Sequence, residues 1–164
     1  MKSGVIAKIF AAACVAALAA CLMTGCFGGP AATMNEEQQA NRAYMSQVNQ
    51  TMEELDANLD GFVDAVSRGD VVNMRSQADS AYKTLDKLES LEVPDDMADI
   101  QESYTEGTEK LRKALDEYIE LYTDASNPDF NWSTYDKRIA EIQALYDEGV
   151  AALEAGDEAA AQKS

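Results

Sequence analysis

The sequence predicts an all-α protein, an antiparallel four-helix bundle, on three observations. After residue 33, four stretches carry apolar residues at steps of three and four, the spacing of one helical face. No stretch alternates apolar and polar residues with period two, so no strand is expected. Short breaks at Gly69-Asp70, Pro94 and Ser126-Asn127-Pro128-Asp129 separate the stretches. Helices with one apolar stripe each, joined by short loops, bury those stripes best against one another. At 164 residues the chain is sized for one domain.

The chain opens with a short basic segment carrying Lys2 and Lys8, then an uncharged apolar run from Ile9 to Met23. That run is shorter than the ~20 apolar residues a membrane-spanning helix uses. Thr24 and Gly25, then Gly28, Gly29 and Pro30, break it. This is the layout of a cleaved signal peptide, residues 1–25, with an uncleaved signal anchor as the alternative. Residues 26–33 then read as a short flexible tether.

The end of the run is Leu22-Met23-Thr24-Gly25-Cys26. It resembles the lipobox of bacterial lipoproteins, an aliphatic residue and two small residues ahead of a cysteine. Met23, Thr24, Gly25 and Cys26 carry the resemblance, with Met23 where leucine is preferred. It implies diacylglycerol on the Cys26 thiol, cleavage after Gly25, and often a further acyl chain on the new amino group. Two or three acyl chains hold a protein stably, whereas one does so only marginally.

A rival, Leu18-Ala19-Ala20-Cys21, fits the pattern more closely residue by residue. Cys26 is preferred because processing at Cys21 would leave Leu22 and Met23 exposed just after the anchor. The resemblance places the mature chain on the extracytoplasmic side of a membrane. In a cell with two membranes, Phe27 in place of the retention aspartate favours the outer one. Cys14, Cys21 and Cys26 are the three cysteines, so cleavage leaves Cys26 alone and excludes an intramolecular disulfide.

Helix one is expected over 34–68. Thr33 and Glu36 form a capping box, and Tyr44, Val48, Met52, Leu55, Leu59, Phe62 and Val66 form its stripe. Gly69 ends it, since glycine best tolerates the left-handed residue after a helix. Helix two, 70–91, is capped by Asp70 and carries Val71, Met74, Ala78, Ala81, Leu85 and Leu88. Pro94 ends it.

Helix three, 95–125, starts with Asp95 and Asp96, where the dipole favours negative charge. Its stripe is Met97, Ile100, Tyr104, Leu111, Leu115, Tyr118 and Tyr122. Helix four, 132–155, carries Trp132, Tyr135, Ile139, Ile142, Tyr146, Val150 and Leu153, closes at Gly156 and leaves 157–164 frayed. Ala65–Asp70 and Ala152–Asp157 echo each other as two helix ends with shared turn chemistry, with an internal duplication as the alternative. At ~1.5 Å per residue helix one spans about 50 Å and helix two about 33 Å. The start of helix one is therefore expected to project as a stalk or join the tether.

Formal net charge is −17, and removing the two lysines of residues 1–25 takes it to −19. So acidic a chain repels phosphates, which excludes nucleic acid and electrostatic binding to anionic lipid. There is no histidine, and the mature chain keeps no free thiol. The usual zinc sites and Ser-His triads are thus out of reach, and a non-enzyme without cofactor is expected.

Asp56, Asn58, Asp60 and Gly61 match the opening of an EF-hand calcium loop. The twelfth position, however, is Ser67 instead of a bidentate glutamate. Leu55, Leu59, Phe62 and Val66 also continue the helix-one stripe, so helix is favoured there. Tyr104, Tyr118, Tyr122 and Tyr135 are candidates for an aromatic ligand groove, because a phenol buries its ring and keeps its hydroxyl wet. Gly107 and Thr108 interrupt the stripe beside Tyr104 and are expected to leave a kink or shallow cavity. A ligand site there should hold at least ~300 Å³. Asn49-Gln50-Thr51 and Asn131-Trp132-Ser133 match the glycosylation pattern by chance.

The function expected is that of a lipid-anchored, non-enzymatic module whose partners are the bilayer, through Cys26, and another envelope protein. The alternatives are a small-ligand-binding lipoprotein and a calcium-responsive module.

Overall fold

A computed structural model describes residues 36–163. Thr33, Gly25, Cys26 and Cys21 lie outside them. The described chain is all-helical, with no strand among its residues. Its long helices are α1 (Glu36–Arg68), α2 (Val71–Glu89), α3 (Ala98–Ala125) and α4 (Tyr135–Lys163). Single 3-10 turns, Asp95–Met97 and Trp132–Thr134, lead into α3 and α4.

α1 follows its stripe: Tyr44, Val48, Met52, Leu55, Leu59, Phe62 and Val66 are all buried. Gly69, at φ 66°, reverses the chain in the left-handed region. The Gly69 amide donates to Val66 O at 3.0 Å and the Asp70 amide to Ala65 O at 2.9 Å, which satisfies the last carbonyls of α1. Asp70 then caps α2 by accepting from the Asn73 amide at 3.1 Å. The Asn73 side-chain amide also donates to Asp70, at 2.6 Å, and these two hydrogen bonds, the backbone one first, hold the Asp70 carboxyl below the ordinary carboxylate range.

Contacts between helices give their directions. Lys87 pairs with Glu54 at 2.7 Å, and the Asn58 amide donates to Thr84 at 3.0 Å, so α1 and α2 run in opposite senses. Thr108 donates to Glu89 and Arg112 to Asp86, both at 2.7 Å, which orders α2 against α3 in the same way. Lys110 donates to Glu148 at 2.8 Å and Arg138 to Asp124 at 2.6 Å, reversing α4 against α3. α1 and α3 run side by side, with the Tyr44 hydroxyl donating to Gln101 at 2.6 Å and Phe62 packed edge-on to Tyr118. One apolar core lies between them and includes Leu85, Leu88, Ile100 and Leu111. Each such side chain contributes about 1.5–3 kcal/mol by leaving water.

Three expectations need correction. The start of helix one does not project as a stalk. Tyr44 and Val48 are buried, Met97 of the turn before α3 is buried, and the Glu37 carboxyl faces Asp96, which pushes it up. Leu91 and Val93 in the connection after α2 are partly buried and pack against the core.

Gly107 and Thr108 leave no cavity. A Cβ on Gly107 would meet Leu153 at 2.6 Å and the Gly149 carbonyl at 3.0 Å, so α3 and α4 cross in backbone contact here. Thr108 is fully buried.

Nor does α4 close at Gly156. It runs on to Lys163, because Gly156 seats the Tyr104 ring, Asp157 accepts from the Tyr104 hydroxyl at 2.6 Å, and Ala160 is buried. Lys163 ties this last turn to Asp99 and the Asp96 carbonyl.

Candidate functional site

Where α3 stops, the chain must turn within a few residues, and asparagine side chains build the turn. Asn127 Oδ1 accepts from the Asp129 amide at 3.0 Å, and Asn127 O from the Phe130 amide at 3.1 Å. Asn131 Oδ1 accepts from the Ser133 amide at 3.1 Å and its hydroxyl at 2.8 Å, which caps the 3-10 turn that starts at Trp132.

This geometry holds the Trp132 indole half out of the surface, at 54% exposure. Phe130 meets it edge-on, with centroids 5.1 Å apart at 87°, and Tyr135 lies 5.6 Å away at 42°. Tyr118 and Tyr122, one turn apart on α3, make the opposite wall, with Leu121 and Ala125 between the walls. Trp132, Tyr135, Tyr118, Tyr122, Leu121, Ala125 and Ser126 line a cavity of about 140 Å³, open on one side, with Phe130 behind Trp132. Burial pushes the Tyr118 phenol well above its ordinary value, with Tyr135 and Tyr122 adding to the shift, so three phenols converge here. Burial, then Asp136, raises Tyr135.

The turn between α1 and α2 borders the same end of the molecule, since a Cβ on Gly69 would lie 3.9 Å from the Tyr122 hydroxyl. Val71 and Val72 follow that turn. Among the described residues, the exposed large apolar side chains are Val71, Val72 and Trp132, all at this end.

Of the four candidate tyrosines, Tyr118, Tyr122 and Tyr135 come together. Tyr104 does not: it lies ~21 Å up α3, fully buried against Gly156. The pocket of at least ~300 Å³ expected around Tyr104 and Tyr118 is therefore corrected to a smaller cavity lower on the helix. Phe130 and the exposure of Trp132 were missed, because Trp132 counted as a stripe residue. The legible signal was Asn131 two residues before Ser133, a turn signature that detaches Trp132 from the helix behind it.

Asp56, Asn58 and Asp60 lie within unbroken α1 rather than in a loop. Asn58 turns to Thr84, and Asp56 is raised first by burial and then by Asp60 one turn away. Helical geometry spreads these residues around the axis, and no group of three or more metal-ligating acids occurs among the described residues.

A wider groove of about 480 Å³ lies at the opposite end, lined by polar residues such as Gln38, Asn41, Arg42 and Lys163, with Met45 and Met97.

No protein-family model, curated protein or solved structure matches the chain.

Proposed function

We propose that the protein is a membrane-anchored extracytoplasmic lipoprotein, a non-enzymatic module that contacts another envelope component through its aromatic end. One observation carries this: the exposed apolar side chains gather at the end farthest from where the tether joins α1. α1 has 33 residues, so at ~1.5 Å per residue that end stands about 50 Å along the helix from the tether. Exposed apolar side chains gathered at one end offer a contact surface, and the opposed helix registers support the antiparallel four-helix bundle. Among the described residues, no helix is long and apolar enough to cross a membrane. The proposed attachment is lipid on Cys26, which rests on the lipobox resemblance of Met23-Thr24-Gly25-Cys26.

Two experiments test this. Cells grown with labelled fatty acid should label the protein, and Cys26→Ser should abolish both the label and the cleavage. Label retained on that variant would overturn the anchor. A pull-down from intact membranes should recover an envelope protein, and Trp132→Ala with Val72→Ser should lose it. If no partner is recovered under several conditions, the contact role fails.

A second reading, small-ligand binding, is favoured by the cavity between Tyr118, Tyr122, Trp132 and Tyr135. Its size restricts the occupant to a small group.

A further inference from the structure

We infer that the cavity between Tyr118, Tyr122, Trp132 and Tyr135 is a site for a quaternary ammonium group. This rests on the ligand-binding reading of the cavity and is independent of the anchor. Four electron-rich rings line it, and the face of an aromatic ring attracts a cation, tryptophan most strongly. A quaternary ammonium has no N–H to satisfy, so it loses little in a seat lined mainly by apolar surface. The net negative charge of the chain disfavours an anion there.

Charge around the cavity agrees. From Glu117 to Arg138, acids stand at 117, 120, 124, 129 and 136 against Lys137 and Arg138. Arg138 is held by Asp124 at 2.6 Å, with Glu120 at 3.6 Å and Glu117 at 3.8 Å, so its charge is already compensated. The chain as a whole carries −17, which raises the local concentration of cations. Size agrees too. At about 140 Å³ the cavity is well below the ~300 Å³ of a site for a drug-sized ligand, which suits a compact head such as tetramethylammonium. The open side leaves room for the rest of a choline-like molecule.

Trp132 is the only tryptophan, so intrinsic fluorescence reports this site. The full chain, in non-ionic detergent, is titrated with choline chloride, with its uncharged isostere 3,3-dimethylbutan-1-ol, and with sodium chloride at matched ionic strength. Choline should change Trp132 emission saturably, the isostere should bind at least tenfold more weakly, and salt should do nothing. Tyr122→Leu should weaken choline about tenfold with an unchanged melting temperature.

Equilibrium dialysis with labelled choline covers a silent fluorophore. Equal binding of choline and isostere would overturn the inference while leaving a small apolar ligand site. Binding of neither, by both methods, would overturn the inference and the ligand-binding reading together.

Discussion

Tyr104 buries its whole ring and directs its hydroxyl to Asp157 Oδ1 at 2.6 Å. Burial raises the Asp157 carboxyl above its ordinary range, and the Tyr104 hydrogen bond pulls it part of the way back. Folding therefore disfavours the ionised form, so this group's contribution to stability falls as pH rises from the ordinary carboxylate range through the raised native value. Tyr104→Phe removes the donor that the carboxylate uses. It should cost about 1–3 kcal/mol at pH 7 and less in acid, where Asp157 is protonated. Urea unfolding of both proteins across that pH range checks the sign.

Gly156 gives a second residue-scale prediction. A Cβ there would sit 2.7–2.9 Å from the Tyr104 ring, which is flat and fully packed. Gly156→Ala should therefore cost about 1–3 kcal/mol. If Gly156 were in open helix, alanine would instead stabilise it, so the sign of the measured change decides.

At the scale of elements, α4 is the instructive helix. Its last two turns read as a frayed tail, yet they carry buried Ala160, the Asp157 acceptor and the Lys163 ties to the start of α3. Ending the chain after Gly156 should lower stability by about 1–3 kcal/mol with most of the helicity kept, as read by circular dichroism during chemical unfolding. An unchanged midpoint would mean that the tail does not pack.

The stripes of α1, α2 and α3 were legible because each helix repeats one apolar face, a property of the chain itself, except that Val71 at the head of α2 is exposed and Tyr122 only half-buried. The candidate site was legible in part. Tyr118 and Tyr122 are one turn apart in any helix, but Tyr135 reaches them only through the turn built by Asn127 and Asn131. Tyr104 lies on the same α3 stripe, but ~21 Å along the helix from Tyr118, a separation the spacing already gives; the structure adds that its ring packs on Gly156 of α4.

On the whole molecule, charge and packing oppose each other. The ion pairs between helices, such as Lys87–Glu54 and Lys110–Glu148, are largely exposed, and exposed pairs contribute about 0–1 kcal/mol. The −17 of the chain acts against compaction through self-repulsion. Raising ionic strength from low to physiological should therefore raise the melting temperature, because screening relieves more repulsion than it weakens pairing. A fall would show that the ion pairs dominate.

What the sequence by itself determined is what depends on local spacing: an all-helical chain, the apolar faces of α1 and α3 and most of that of α2, the Gly69-Asp70 reversal and the acidic charge. Periodicity and turn chemistry are properties of neighbouring residues, so they are present before the chain folds. What only the tertiary structure decided depends on who stands opposite. Gly69-Asp70 and Gly156-Asp157 are the same dipeptide after the same kind of helix. One turns the chain and the other continues it, because only the second has a tyrosine ring packed on its glycine and a buried hydroxyl bonded to its aspartate. The aromatic cavity has the same origin, since two separate helices and a loop must meet before four rings can share one space.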